Sequence, residues 1–115
     1  MEDCLFCKIV EGKIPSKKVF ENEYVYAFND IHPVTPVHVL VIPKIHIKNL
    51  NEVDEKNVNY ITNIMLSIKE IASILGISDE GYRVVTNVGE NGGQAVPHLH
   101  FHILGGKKLG AKIVK

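Results

Sequence analysis

The sequence predicts an α+β fold: one antiparallel sheet of five strands, a long helix on one face and a short helix at the start. Two observations carry this. Segments of strand character stand on both sides of a single long stretch of helical periodicity, and the turns between them are marked by glycine, proline and asparagine. Strands that mostly follow one another, with one helix among them, pair antiparallel and use the helix to cover a face.

Taken in order, "CLFCKIVEGKIPS" from Cys4 predicts a short helix or turn closed by Gly12 and Pro15. "KVFENEYVYAFND" predicts two short strands, near Val19–Phe20 and Tyr24–Asn29, joined by a tight turn at Glu21–Glu23. "VHVLVIP", Val37 to Pro43, is a continuous run rich in β-branched residues, the mark of a central strand buried on both faces. From Asp54 to Leu75 the period changes. Ile61, Ile64, Met65, Ile68, Ile71, Ala72 and Leu75 recur at helical spacing, with Asp54 as the expected N-cap and Gly76 as the stop. "GYRVVTNVG" returns to strand, "ENGGQAVP" is a glycine-bearing loop, and "HLHFHILG" is the last strand. A single long helix leaves one sheet face bare, so a second copy of the chain is the expected cover.

Residues 1–115 are expected to form a single domain, since no repeat, linker or low-complexity tract divides them. Thirteen basic side chains balance thirteen acidic ones, so no global positive field recruits nucleic acid or an anionic membrane. Small ligands are the better expectation. The acidic start "MEDCLFCKIVEG" lacks the apolar core of a signal peptide, and every apolar run is too short to cross a bilayer. A cytoplasmic location follows as the expectation, where Cys4 and Cys7 would not form a structural disulfide.

Half of the six histidines lie in five residues: His98, His100 and His102 alternate with Leu99 and Phe101. On a strand they would share one face, roughly 6.6 Å apart, with Leu99, Phe101 and Ile103 on the other. Such a ridge has three readings: a wet polar face, a metal site, or phosphate chemistry in which a neutral imidazole attacks and its neighbours stabilise negative oxygens. The loop before it favours the third. Gly89, Gly92 and Gly93 permit close approach of backbone N–H groups to an anion, and Asn87 and Gln94 add neutral donors. His38, opening the buried strand, would meet the ridge from a neighbouring strand, or be a core histidine bonded to a carbonyl. The Cys4-x-x-Cys7 pair also has three readings: redox dithiol, free thiols, or half of a zinc site. The redox reading lacks a preceding thioredoxin-like strand. Zinc would need two further ligands, and His46 and His98 are on offer.

His98-Leu99-His100-Phe101-His102-Ile103-Leu104 resembles the signature of the histidine-triad (HIT) family. "AFNDIHPVTPVHVLVIPKIHI" and "GYRVVTNVGENGGQAVPHLHFHILGG" resemble its two halves, and with "FCKIVEGKIPSKKVFE" the likeness runs from about Cys4 to Gly106. The closing "LGG" resembles the Hint-like branch of purine nucleoside phosphoramidases; the dinucleoside polyphosphate hydrolases usually carry Pro-Arg there. The resemblance implies a sheet extended across a homodimer and cleavage of purine nucleoside 5′-phosphoramidates, or related adenylates, at the α-phosphorus. The alternatives it leaves are dinucleoside polyphosphate hydrolysis and an AMP-binding sensor of weak activity. It implies His100 as nucleophile, forming a nucleotidyl-histidine intermediate. His102 would lie on the phosphate and leaving-group side, and His38 and His98 would support them. Asn87, Gly93 and Gln94 would form the phosphate loop, and Asp30 would hold the ribose hydroxyls, where otherwise it would be a turn aspartate. Leu5, Phe6, Phe28, Asn29, Ile31 and Leu40 would form the base and sugar pocket, although by type most are ordinary core residues. It implies a structural zinc on Cys4, Cys7, His46 and His98, with no catalytic metal required. Two departures stand out: Ala95 replaces the usual serine after the glutamine, and the tail "KKLGAKIVK" has no tryptophan.

Overall fold

The computed structural model describes residues 3–111. Its elements are α1 (Leu5–Val10), β1 (Lys18–Glu21), β2 (Val25–Asn29), β3 (Val37–Pro43), a 3-10 turn at Leu50–Glu52, α2 (Val58–Ile74), β4 (Arg83–Val85) and β5 (Phe101–Gly105). The strands form one sheet in the order β1-β2-β3-β5-β4, every neighbouring pair antiparallel. The expected α+β class and five-stranded sheet are therefore present. Among the described residues no helix is long and apolar enough to cross a membrane.

Alternation along β2 and β3 divides the interior in two. Val25, Ala27, Val39 and Val41 point to α2 and pack with Ile64, Ile68 and Ile71, together with Leu99, Phe101 and Ile103. Tyr26, Phe28, Leu40 and Ile42 point to the other face, where α1 supplies Phe6 and Ile9. The second face is thus partly covered by the chain's own short helix. The open part of that face holds the candidate site.

Three boundaries differ from expectation, each through a side chain or proline that takes over a backbone bond. Helix α2 begins at Val58, not at Asp54, because the Asp54 carboxylate accepts from the N–H groups of Lys56 and Asn57 and closes a turn of its own. Its end matches: Gly76, at φ +73°, closes a Schellman motif in which Ile77 donates to Ala72 O and Gly76 to Ser73 O. Strand β2 starts at Val25 because Asn22 Oδ1 accepts from both Tyr24 N–H and Val25 N–H and shapes the tight turn. Strand β5 begins only at Phe101. Pro97 has no N–H to give, Leu99 donates to Ile47 O, and the His100 carbonyl accepts from the Thr86 hydroxyl, so residues 97–100 run outside the ladder.

Candidate active site

The sheet positions the histidines by register. In the β3–β5 pairing His102 lies opposite Leu40 and His38 opposite Leu104, which makes the two histidines diagonal neighbours on the α1 side. Their rings meet: His38 Nε2 is 2.9 Å from His102 Nδ1. The His100 and His102 ring centroids are 5.1 Å apart. Phe6 projects from α1 edge-on to both His98 and His100, at 5.8 and 5.1 Å.

Backbone partners define the tautomers. His100 Nδ1 lies 2.7 Å from the His98 carbonyl oxygen, an acceptor, so Nδ1 carries the proton and Nε2 keeps its lone pair. His38 Nδ1 accepts from Val34 N–H at 3.1 Å, so its proton is on Nε2. That proton has two acceptors within reach, His102 Nδ1 at 2.9 Å and Asp30 Oδ2 at 3.3 Å; where it bonds His102, that ring keeps Nε2–H as its free donor. Burial holds His102 down to about 4, and the neighbouring His100 and His38 push in the same direction. Burial also lowers His100 from its ordinary value. Both rings are neutral at pH 7, as a nucleophile and a hydrogen-bond donor require.

A stability prediction follows from His102. Its folded pKa lies below the ordinary 6.5, so the unfolded chain binds a proton that the folded chain refuses between about pH 6.5 and 4. Stability is therefore full above that window and falls as the pH drops through it. His102→Asn should flatten the slope in denaturant titrations at several pH values. Equal stability at both ends of the window in the wild type would contradict this.

A cavity of about 490 Å³, within the range of small-molecule sites, is lined by Leu5, Phe6, Phe28, Asn29, Asp30, Ile31, His38, Leu40, Ala95, His100 and His102. All the side chains expected for base and sugar are thus gathered with three of the four histidines. Asn87, Gly93 and Gln94 are not in its lining. Gln94 spends its amide on its own loop and on the Lys48–Asn49 segment. Its Oε1 accepts from Gly89 N–H and Asn49, and its Nε2 donates to the carbonyls of Lys48 and Val96. Asn87 donates to Gly92 O. Gly92 has a steric reason to be glycine, since a Cβ there would run into the Val88 carbonyl. The tail places Lys107–Ala111 in view; residues 112–115 lie outside the described residues. Sequence reasoning missed Val34, whose N–H selects the His38 tautomer, and Ile9, which also lines the cavity. Ile9 was within reach, since it follows Phe6 by three residues and shares its helix face.

His98 belongs to a second cluster. Its Nε2 donates to Pro43 O at 3.2 Å, which turns the Nδ1 lone pair to Cys4 Sγ at 3.1 Å and Cys7 Sγ at 3.5 Å. His46 Nδ1 is 3.5 Å from Cys7 Sγ, and the four donor atoms all lie within 4.8 Å of one another. Ligands on a tetrahedral ion at zinc's usual bond lengths sit roughly 3.3–3.8 Å apart, so the set fits a metal closely. Burial raises the Cys7 thiol to about 11 in the metal-free chain. A metal would have to displace its proton.

A small α+β domain with a histidine cluster beside an apolar cavity and a Cys₂His₂ cluster defines a class of small-ligand protein. Comparison with known proteins gives the family. The HIT domain model matches residues 11–109, and the chain belongs to that family. It is similar to an uncharacterized HIT-like protein of Helicobacter pylori, 45% identical over 90% of this chain and 97% of the relative. Protein HitA of Neisseria gonorrhoeae is 40% identical over 91% of this chain and 97% of its own length. Among solved structures, a HIT family hydrolase from Clostridium thermocellum superposes with a TM-score of 0.96 at 46% identity, covering 99% of both chains. A histidine triad nucleotide-binding protein from Candida albicans superposes at 0.80 with 34% identity, covering 98% of this chain and 87% of that one.

Proposed function

We propose that the protein hydrolyses purine nucleoside 5′-phosphoramidates, or related adenylates, at the α-phosphorus. The observation that carries this is the His100 ring in the cavity wall with Nδ1–H tied to a carbonyl and the Nε2 lone pair free. Kinship with proteins called hydrolases and nucleotide-binding proteins supports the reading. In this mechanism the His100 lone pair attacks phosphorus and the P–N bond breaks. The amine leaves with that electron pair and takes one proton from solvent. Water then attacks the same phosphorus, the bond from His100 Nε2 to phosphorus breaks, and the nucleoside monophosphate leaves as one proton returns to solvent. The His98 carbonyl stabilises the positive charge that grows on His100, and His102 Nε2–H donates to a phosphoryl oxygen. Asp30 holds the ribose hydroxyls, Leu5, Phe6, Phe28, Ile31 and Leu40 enclose the base with Asn29 beside them, and Asn87, Gly93 and Gln94, outside the cavity lining, serve the phosphate end by holding their loop in shape.

Cys4, Cys7, His46 and His98 would hold a structural zinc, whose closed shell supplies rigidity rather than an activated water. A homodimer is the assembly we favour. The three-residue β4 forms one edge of the sheet with Val84 exposed, and Leu66 and Ile74 on α2 are exposed as well. A monomer in sedimentation at micromolar concentration would refute that part. A second reading, nucleotide binding with weak catalysis, is favoured by Ala95, which lines the cavity with no hydroxyl to offer.

The test is a comparison of a fluorogenic adenosine 5′-phosphoramidate with diadenosine polyphosphate. Faster turnover of the phosphoramidate is expected. Preference for the polyphosphate would reassign the leaving group, and tight AMP binding with neither substrate cleaved would establish the sensor reading.

A further inference from the structure

Asp30 does more in this fold than face a sugar. Its Oδ1 accepts from His32 N–H at 2.8 Å, which fixes the carboxylate, and its Oδ2 lies 3.3 Å from His38 Nε2. The same His38 N–H faces His102 Nδ1 at 2.9 Å. One proton therefore has two acceptors. Asp30, His38 and His102 also have the composition of a metal site, with their donor atoms within 4.8 Å of one another. The tautomer argues against it. A metal would need the lone pair of His38 Nε2, which would put the ring's proton on Nδ1, facing the Val34 N–H at 3.1 Å, donor against donor. The trio is a chain of hydrogen bonds around one proton.

We propose that Asp30 is a positioning residue through which the ribose hydroxyls of a bound nucleotide set the tautomer of His102. The inference rests on the reading above, in which Asp30 receives the ribose. With the sugar absent, Asp30 Oδ2 draws on the His38 N–H and weakens its hold on His102 Nδ1, so the His102 proton is free to sit on either nitrogen. When two hydroxyls donate to the carboxylate, its acceptor capacity is taken up, and the His38 proton turns wholly to His102 Nδ1. His102 is then held as the Nε2–H tautomer, the form that donates to a phosphoryl oxygen. The wrong tautomer would set a lone pair against that oxygen. Sugar recognition thereby arms the phosphate end of the site through a contact that involves no phosphate.

The experiment is ¹⁵N NMR of the full chain labelled at histidine, titrated to saturation with AMP or with 2′,3′-dideoxyadenosine 5′-monophosphate. With AMP, His102 Nε2 should shift toward the protonated, pyrrole-type position and Nδ1 toward the bare, pyridine-type one. The dideoxy nucleotide, bound equally fully, should leave the averaged free-state shifts. In Asp30→Asn the two nucleotides should give the same His102 shifts. Kinetically, removal of both hydroxyls should lower kcat at least tenfold in the wild type, beyond any change in KM, and less than twofold in Asp30→Asn. Equal His102 shifts with both nucleotides in the wild type would overturn the coupling while leaving the proposed reaction standing. Failure of AMP to bind at all would overturn both.

Discussion

Replacing His100 by alanine should lower single-turnover amine release by at least ~10³-fold while AMP affinity changes by less than about tenfold. The two effects separate because the ring does two unequal jobs. As the proposed nucleophile it supplies the unengaged lone pair of the three clustered histidines His38, His100 and His102, since His38 Nδ1 is taken by Val34 N–H and His102 Nδ1 faces the His38 N–H. As a wall it is one contact among many, and the apolar side chains and Asp30 remain when it is removed. Loss of the ring also leaves a gap beside Phe6 and costs some stability, so the variant's melting temperature should be measured alongside. Unchanged turnover would remove His100 as nucleophile. Loss of binding and turnover together would mean that the ring holds the pocket open.

The second large effect concerns the cysteines. Cys4→Ala with Cys7→Ala should abolish zinc retention and lower the melting temperature by on the order of 10 °C or more, with a smaller effect on catalysis. The cluster ties α1, through Cys4 and Cys7, to the segment after β3 through His46 and to the approach to β5 through His98. Among the described residues, no buried side-chain nitrogen or oxygen lacks a partner, so the double variant is expected to fold, at reduced stability. The catalytic echo arises from geometry. The His98 carbonyl holds His100 Nδ1–H, and Phe6, between the two cysteines in sequence, packs against both rings. Metal analysis of the purified wild type and thermal melts of both forms check this. A wild type without zinc, or a double variant that melts with it, would contradict the assignment.

What the sequence disclosed and what it hid have different physical origins. Strand β3 was legible to the residue because an unbroken β-branched run admits few alternatives once both faces are buried. The end of α2 was legible because only glycine takes the left-handed conformation there without strain. The histidine alternation correctly implied a shared face, yet only His102 lies in the ladder of β5, while His98 and His100 precede it. The division of labour between His98 and His100 follows from the cysteines as much as from the spacing. Backbone partners stayed hidden: Val34 N–H, the Pro43 carbonyl and the His98 carbonyl decide three tautomers, and no side-chain pattern announces them. Gln94 shows the converse. Its type suggested a ligand donor, and its amide is consumed in shaping the loop and fastening it to the Lys48–Asn49 segment.

A two-step displacement at phosphorus through His100 would show itself in the stereochemical course of hydrolysis. An adenosine 5′-phosphoramidate made chiral at phosphorus by sulfur substitution would be hydrolysed in ¹⁸O-labelled water and the product's configuration determined. Two successive in-line displacements invert twice, so net retention is the predicted result. Net inversion would mean that water attacks the substrate directly, and the covalent role of His100 would have to be abandoned.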